Sequence, residues 1–409
     1  MAVYDQHDLT ARVNVTGGLL DVKSATVTMD EAWSPYVQAT LTCAAPAGSV
    51  LERIDPRKQT LRGQVVLHRR FGGSDPASVL STAWAGKRAR DVTTLLAGKR
   101  ARDVTADHFY PWNDFGVRAS QYRAFNLSVR SRQRGHKDGE IVLALASDEA
   151  LLQDYGLVDI TPYAPSLSSI RTVVGSVLTR IGRALAPGTA DGVIDPAASK
   201  WMPGVKAWDY LAPIVQSAQL RLWCDENGIF HLSTATEVQP GNLVLSQGGS
   251  IVDATDTIDR DGDDWYDSVV IVYQWTDAAG VTQTAYDIAS TPGYSKTLTL
   301  TYEQPYPGPG AAQGVLNRAL GRGRSLGPTV VSDYTATPGQ PVVVNLDDTP
   351  TQTGYLSSVA WSWPQAEMEA KTRGLIDTPA TAYMFGPDGL SYNAVPAGIS
   401  YNTFDWTAL

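Results

Sequence analysis

Apolar and polar residues alternate in short runs along the first part of the chain. The runs ARVNVTG (from Ala11), SATVTMD (from Ser24) and YVQATLTCAAP (from Tyr36) are separated by turn residues. Successive side chains of a strand point to opposite faces, so this period of two predicts antiparallel strands with one face buried. The run LRGQVVLHRRF from Leu61 breaks at Gly72 and Gly73, and YRAFNLSVRSRQR from Tyr122 breaks at Gly135. Residues 1–165 therefore read as a small β-barrel or sandwich carrying a long basic insertion at about 52–137.

The period changes at Ser166. SLSSIRTVVGSVLTRIGRAL opens on serines suited to capping, repeats apolar positions every three to four residues and stops at Pro187 and Gly188, which predicts a helix. A second helical run, VKAWDYLAPIVQSAQ, leads into LRLWCDENGIFHLS, a strand, an Asn-Gly turn and a strand. Residues 166–250 thus form an α/β unit. Strands return over 251–375: a hairpin around Gly280, the run TLTLTYEQ, then VVSDYTATPGQPVVVNL and YLSSVAWSWPQAEMEAKTR, with one helix at AAQGVLNRALGRGRS. Residues 376–409 are rich in Gly, Pro, Asn and Tyr with little periodicity and read as a peripheral tail.

Composition bounds the rest. Across 409 residues, 43% hydrophobic and 18% charged content supplies enough apolar material for several cores. Eleven Trp and eighteen Tyr against seven Phe favour half-buried sheet surfaces and interfaces, where a ring with a polar tip meets both environments. Cys43 and Cys224 stand far apart, without further Cys or His at ligand spacing, which argues against a disulfide framework or structural zinc. No secretory leader or run of about 18 apolar residues is seen, so a product made and kept in the cytoplasm, without membrane insertion, is expected. The net charge is -9, yet from Glu52 to Lys137 basic residues outnumber acids about two to one. Within that stretch AGKRARDVT occurs twice, at Ala85–Thr93 and Ala97–Thr105. Two copies are too few for a solenoid, so a duplicated surface loop is expected.

Catalytic patterns are missing from the sequence. It holds no phosphate-cradling GxxxxGK[ST], no GxGxxG after a strand, no GxSxG and no HExxH. His7, His68, His108, His136 and His231 are scattered, with no nucleophile or acid at a convincing spacing. Asp256, Asp259, Asp261, Asp263 and Asp264 surround Gly262 but miss the ligand order of an EF-hand loop, so they read as an exposed acidic turn. Each KRAR is followed by Asp and lacks interleaved aromatics, which favours an acidic protein neighbour over nucleic acid. No catalytic residue, cofactor or metal is expected.

Three passages in this order resemble the minor tail proteins of long-tailed actinobacteriophages, the group that forms the tail hub. They are LLDVKSATVTMDEAWSPYVQATLTCAAP (Leu19–Pro46), KWMPGVKAWDYLAPIVQSAQLRLWCDENGIFHLS (Lys200–Ser233) and NRALGRGRSLGPTVVSDYTATPGQPVVVNL with GYLSSVAWSWPQAEMEAKTR after it. The resemblance implies a mainly β chain with two tube-type β-barrels and inserted α/β domains. It also implies a homotrimer at the tail tip of the virion that adapts a six-fold tube to a three-fold tip. Its partners would be a distal tail protein, a tape measure protein and other tail-tip proteins, with DNA passing through the channel without specific binding. In such an assembly Trp33, Tyr36, Trp361 and Trp363 are candidate interface anchors, the alternative for each being a place in the chain's own core. Two other functions stay open at this point, a carbohydrate-binding host-recognition module and a tail-associated cell-wall hydrolase.

Overall fold

In a computed structural model of the chain, residues 3–74 and 119–377 are described, apart from 16, 33, 59, 60, 136, 138, 167, 197, 198, 236, 259–264, 278, 304, 305, 307, 320–323 and 348. The AGKRARDVT repeat, most of the acidic turn and the expected peripheral tail from 378 on lie outside the described residues.

The first strands are β1 (Val3–Val13), β2 (Val22–Asp30) and β3 (Val37–Ala44), followed by a short helix α1 (Gly48–Leu51). Then come β4 (Arg62–Ser74), β5 (Ala119–Gly135) and β6 (Glu140–Ala146). Alternate residues of β2, β3 and β6 are buried, as the period of two requires. In space the order is β1-β4-β5-β6-β3-β2. The ring closes where Arg12 bridges Leu19 and the Leu20 N–H donates to the Ala11 carbonyl at 2.8 Å. The stretch expected as insertion, 52–137, contains β4 and β5, which pair with each other and with β1 and β6. That expectation is corrected: the basic residues of Arg62–Ser74 and Ala119–Gly135 belong to barrel strands.

Between the barrels lies the α/β unit: α2 (Glu149–Asp154), α3 (Ile170–Arg180), α4 (Ala207–Ser217) and the hairpin β7 (Leu220–Cys224) with β8 (Phe230–Thr234). The Ser169 hydroxyl accepts from the Thr172 N–H at 3.2 Å and caps α3. The hairpin turns at Gly228, whose φ of +83° suits a residue without Cβ. Trp201, with no exposed surface, sits in the core of this unit and stacks on Tyr210 at 5.3 Å.

The chain then forms β9 (Leu243–Ser246), β10 (Ile251–Asp253) and β11 (Asp256–Ile258). A small module follows, made of β12 (Ser268–Thr276), β13 (Thr282–Ser290), β14 (Thr297–Tyr302) and α5 (Ala311–Ala319). Its helix is fixed by Asp287, which accepts from the N–H groups of Gly310 and Ala312 at 3.0 and 2.9 Å. The last strands are β15 (Arg324–Leu326), β16 (Thr329–Val331), β17 (Pro341–Asn345), β18 (Gln352–Trp363) and β19 (Glu367–Asp377). They complete a second barrel in the order β9-β17-β18-β19-β16-β10, closed by the Gln247–Ile251 bridge. The fold is mainly β with inserted α/β elements.

The two barrels share more than a strand count. Their strands follow in the same chain order and lie in the same spatial order. The β5–β6 hairpin pairs Gly135 with Glu140 and Ser131 with Ala144, skips Arg130, and resumes at Val129 with Leu145. The β18–β19 hairpin pairs Ser362 with Glu367 and Ser358 with Lys371, skips Ser357, and resumes at Leu356 with Thr372. One constant shift in numbering carries the first set onto the second, bulge included. Likewise β2–β3 pairs Val22 with Cys43 and Ser24 with Thr42 across a bulge at Lys23, while β10–β16 pairs Ile251 with Val330 and Asp253 with Thr329 across a bulge at Val252. Continuing that shift sets Val27–Ala39 against Asp256–Leu326, so β11 and β15 prolong the same two strands. Bulges re-aim side chains at fixed points, and two matching bulges mark the barrels as copies of one unit. They differ at one pair: β1–β4 is antiparallel and β9–β17 is parallel.

Candidate assembly interface

The contact between the barrels within one chain is a strand seam. Past its bulge, β18 leaves β17 and pairs with β2, from Ser358 opposite Asp30 to Trp363 opposite Ala25. This joins both barrels into one twelve-stranded sheet over a shared core.

Of the four proposed anchors, Trp361 and Trp363 stand on this seam. Trp361 is 2% exposed; its indole N–H donates to the Asp333 carbonyl at 3.0 Å, and its ring lies 5.9 Å from Phe125. Trp363 is half-buried against the same core. Tyr36 is 1% exposed and meets Trp223 edge-on at 5.1 Å. Trp361 and Tyr36 therefore take the other place open to them, the chain's own core. The seam explains the first, because a strand that joins two barrels is paired along both edges and turns one face to their shared core. Trp33 lies outside the described residues.

A polar joint ties the α/β unit to the first barrel. The Asp148 carboxylate, 1% exposed, accepts from the Ser128 hydroxyl of β5 at 2.7 Å, from Arg183 Nε beyond α3 at 2.7 Å, and from Arg62 of β4. Next to it Glu149 accepts from the N–H of Tyr36, from the Cys224 N–H of β7 at 3.2 Å and from the Ser147 hydroxyl at 2.9 Å. Burial pushes the Glu149 carboxyl up to about 7, against these donors and the Arg221 charge, which favour the ionised form. Across the joint Arg123 of β5 donates to Glu226 at 3.0 Å and to the Ala336 carbonyl at 2.6 Å, so one guanidinium touches both barrels and the hairpin. On the other side of the sheet Arg373 of β19 forms a bidentate pair with Glu31 after β2.

Because the folded Glu149 holds its proton more tightly than the unfolded chain, stability falls as pH rises from about 4.5 to about 7. Glu149→Gln is expected to flatten that slope, read as the urea midpoint of the full chain across this range. An unchanged slope would remove Glu149 as its source.

Sites for chemistry were sought in the same way. His7 Nε2 lies 3.1 Å from Asp5 and Nδ1 3.0 Å from the Tyr334 hydroxyl, and burial lowers the imidazole pKa. Tyr334 is 3% exposed, so this arrangement links β1 to the second barrel and presents no open nucleophile. His231 pairs with Asp225 at 3.1 Å inside the β7–β8 turn and stacks on Trp223. His68 meets Tyr122 edge-on at 6.4 Å, and His108 and His136 lie outside the described residues. Burial raises both thiols, Cys43 to about 11. Among the described residues no group of three His, Cys, Asp or Glu is placed to hold a metal ion, and no helix is long and apolar enough to cross a membrane.

The sequence reading missed the joint. Asp148 and Glu149 look like ordinary loop acids in SDEALLQD, and α2 is too short to show a period. Their one signal is position, directly after a strand whose alternate residues are apolar.

No family model matches the chain, and no curated protein does. Solved structures do. A tail protein from Neisseria meningitidis aligns at 12% identity with a TM-score of 0.55, over 90% of this chain and 96% of its own. A 43 kDa prophage tail protein from Shewanella oneidensis aligns at 14% and 0.52, over 90% and 98%. A prophage tail protein from Listeria monocytogenes aligns at 8% and 0.51, over 90% and 94%. At these identities the likeness is one of fold, and it extends over nearly the whole of each of these chains: the protein shares the fold of these three tail proteins.

Proposed function

We propose that the chain is a structural subunit of a phage tail tip, forming the hub that closes the tail tube. The observation that carries this reading is the internal duplication. A chain with two equivalent barrels lets three copies present six equivalent units, which is how a six-fold tube meets a three-fold tip. Adaptation of that kind is geometric and needs no nucleophile. The fold shared with tail proteins supports it. In this reading the distal tail protein lies above, the tape measure protein and other tail-tip proteins lie within and below, and the virion is the place of residence. DNA passes along the ring without specific binding, and the net charge of -9 keeps phosphates from adhering. The domain division follows the same logic, with barrels in the ring and the α/β units outside it.

A cryo-electron microscopy map of the intact particle's tail end tests this directly. Three copies of this chain around the tube axis are expected, with their six barrels at one height. A peripheral position would sink the hub reading and bring host recognition forward, while clearing of cell wall by the purified protein would bring hydrolysis forward.

A further inference from the structure

The seam inside one chain shows how a barrel of this kind binds its neighbour, and each chain carries the same two surfaces a second time, without partners among the described residues. The numbering shift between the hairpins makes Ser358–Ser362 of β18 equivalent to Ser131–Gly135 of β5. The shift between the other strands makes Val27–Met29 of β2 equivalent to β11. In the second barrel's strand the first segment pairs with the first barrel's β2. Its counterpart in the first barrel has no second pairing strand among the described residues. β4 ends opposite Ser128, the Val129 N–H still reaches the Leu61 carbonyl, and beyond that point β5 pairs with β6 alone among the described residues. Residues Arg130–Arg134 are exposed. β11 pairs with β15 alone among the described residues, and Thr257 in it is exposed.

An unpaired strand edge is a template for another chain, and proteins that do not use such an edge blunt or cover it. Here the two edges differ in charge. The β5 edge reads RSRQR, from Arg130 to Arg134, while β11 begins at Asp256, the first residue of the acidic run. Asp154 engages Arg130 at 2.7 Å and the Leu51 carbonyl accepts from Arg132, which hold the strand extended without covering its edge. Arg130–Arg134 of the basic stretch and Asp256, which opens the acidic run, fall on the two halves of one contact.

The geometry points to strand pairing between copies: the β5 edge of one copy lies antiparallel to β11 of the next and repeats the β18–β2 seam. The inference rests on the hub reading for its closure at three copies. The register follows from the seam. Trp361 opposite Val27 becomes Arg134 opposite Asp256, Ala360 opposite Thr28 becomes Gln133 opposite Thr257, and Val359 opposite Met29 becomes Arg132 opposite Ile258. The contact is heterologous, so it yields a ring where the rotation closes. A one-residue slip would turn every side chain to the wrong face, which makes the register itself testable.

The test uses the full chain with Arg134→Cys and Asp256→Cys together. Opposed Cα atoms in an antiparallel pair are about 4.5–5.5 Å apart, within disulfide reach, and the two native cysteines are buried. Mild oxidation is expected to give covalent dimers and trimers on non-reducing gels and nothing beyond three, with each single variant remaining monomeric. A second arm reverses charge: Arg134→Asp is expected to weaken self-association at least tenfold by sedimentation, and adding Asp256→Arg to restore it. A wild-type trimer in solution whose double-cysteine form makes no inter-chain disulfide overturns the pairing and leaves the hub standing. A chain that stays monomeric at every concentration also overturns the pairing. Copy number in the particle then decides separately whether the hub reading falls with it.

Discussion

Asp148→Ala is expected to destabilise the folded chain by about 3 kcal/mol, read from urea midpoints of the full-length protein. The carboxylate is the shared acceptor of Arg62, Arg183 and the Ser128 hydroxyl, which come from β4, the residues after α3, and β5. Removing it leaves two guanidinium groups without their shared acceptor in a partly buried site. Arg62 and Arg183 side chains retain 18% and 30% exposure, so water recovers part of the loss and holds the estimate at the low end for a buried pair. Asp148→Asn keeps the shape yet turns an amide N–H toward one of the arginines, so it is expected to fall within about 1 kcal/mol of the alanine variant. A cost below about 1 kcal/mol for both would show that the α/β unit is held by its apolar contacts and that the joint is decorative.

The consequence for assembly is orientation. In the proposed hub the barrels make the ring, and the α/β unit must face away from the tube at a fixed angle. Apolar contact alone is non-directional, whereas a carboxylate with three donors from three elements fixes both position and rotation. Arg123 has the same role between the barrels, since it donates to Glu226 and to the Ala336 carbonyl at once.

Much of the sheet is legible in the sequence because burial alternates where a strand has one wet face. β2, β3, β6 and β19 show this, and so do the helices α3 and α4 with their apolar stripes. The three-residue strands β10, β11, β15 and β16 are not legible, since three residues hold no period. The duplication is hidden for a different reason. Equivalent positions meet different surroundings: Trp361 and Val27 are buried inside one chain, whereas Arg134 and Asp256 stand on edges that are unpaired among the described residues. Composition follows burial, so the two copies diverged in residue type while the register and bulges, which backbone pairing fixes, were kept. The aromatic candidates meet the same ambiguity. A Trp on an alternating strand fits a core and an interface equally well until the strand's neighbours are known.

Trp361→Ala carries the other large expected effect, about 3–5 kcal/mol from loss of a buried indole and the cavity it leaves. The ring touches both barrels: Phe125 of the first at 5.9 Å and Tyr334 of the second at 6.3 Å, with the Arg123 guanidinium 5.3 Å from its centroid. Its loss also strands the Asp333 carbonyl, which accepts the indole N–H. The half-buried Trp363, two residues along the same seam, is the control, and Trp363→Ala is expected to cost about 1–2 kcal/mol. The shape of the transition is more telling than its midpoint. One apolar core runs through both barrels, so the wild-type barrels should unfold together, and a variant that empties the centre of the seam should unfold them in two steps. A single sharp transition in Trp361→Ala, shifted no further than that of Trp363→Ala, would mean that backbone pairing between β18 and β2 holds the barrels without the indole. The copy-to-copy seam, which has Arg134 where this one has Trp361, would then need no apolar anchor either.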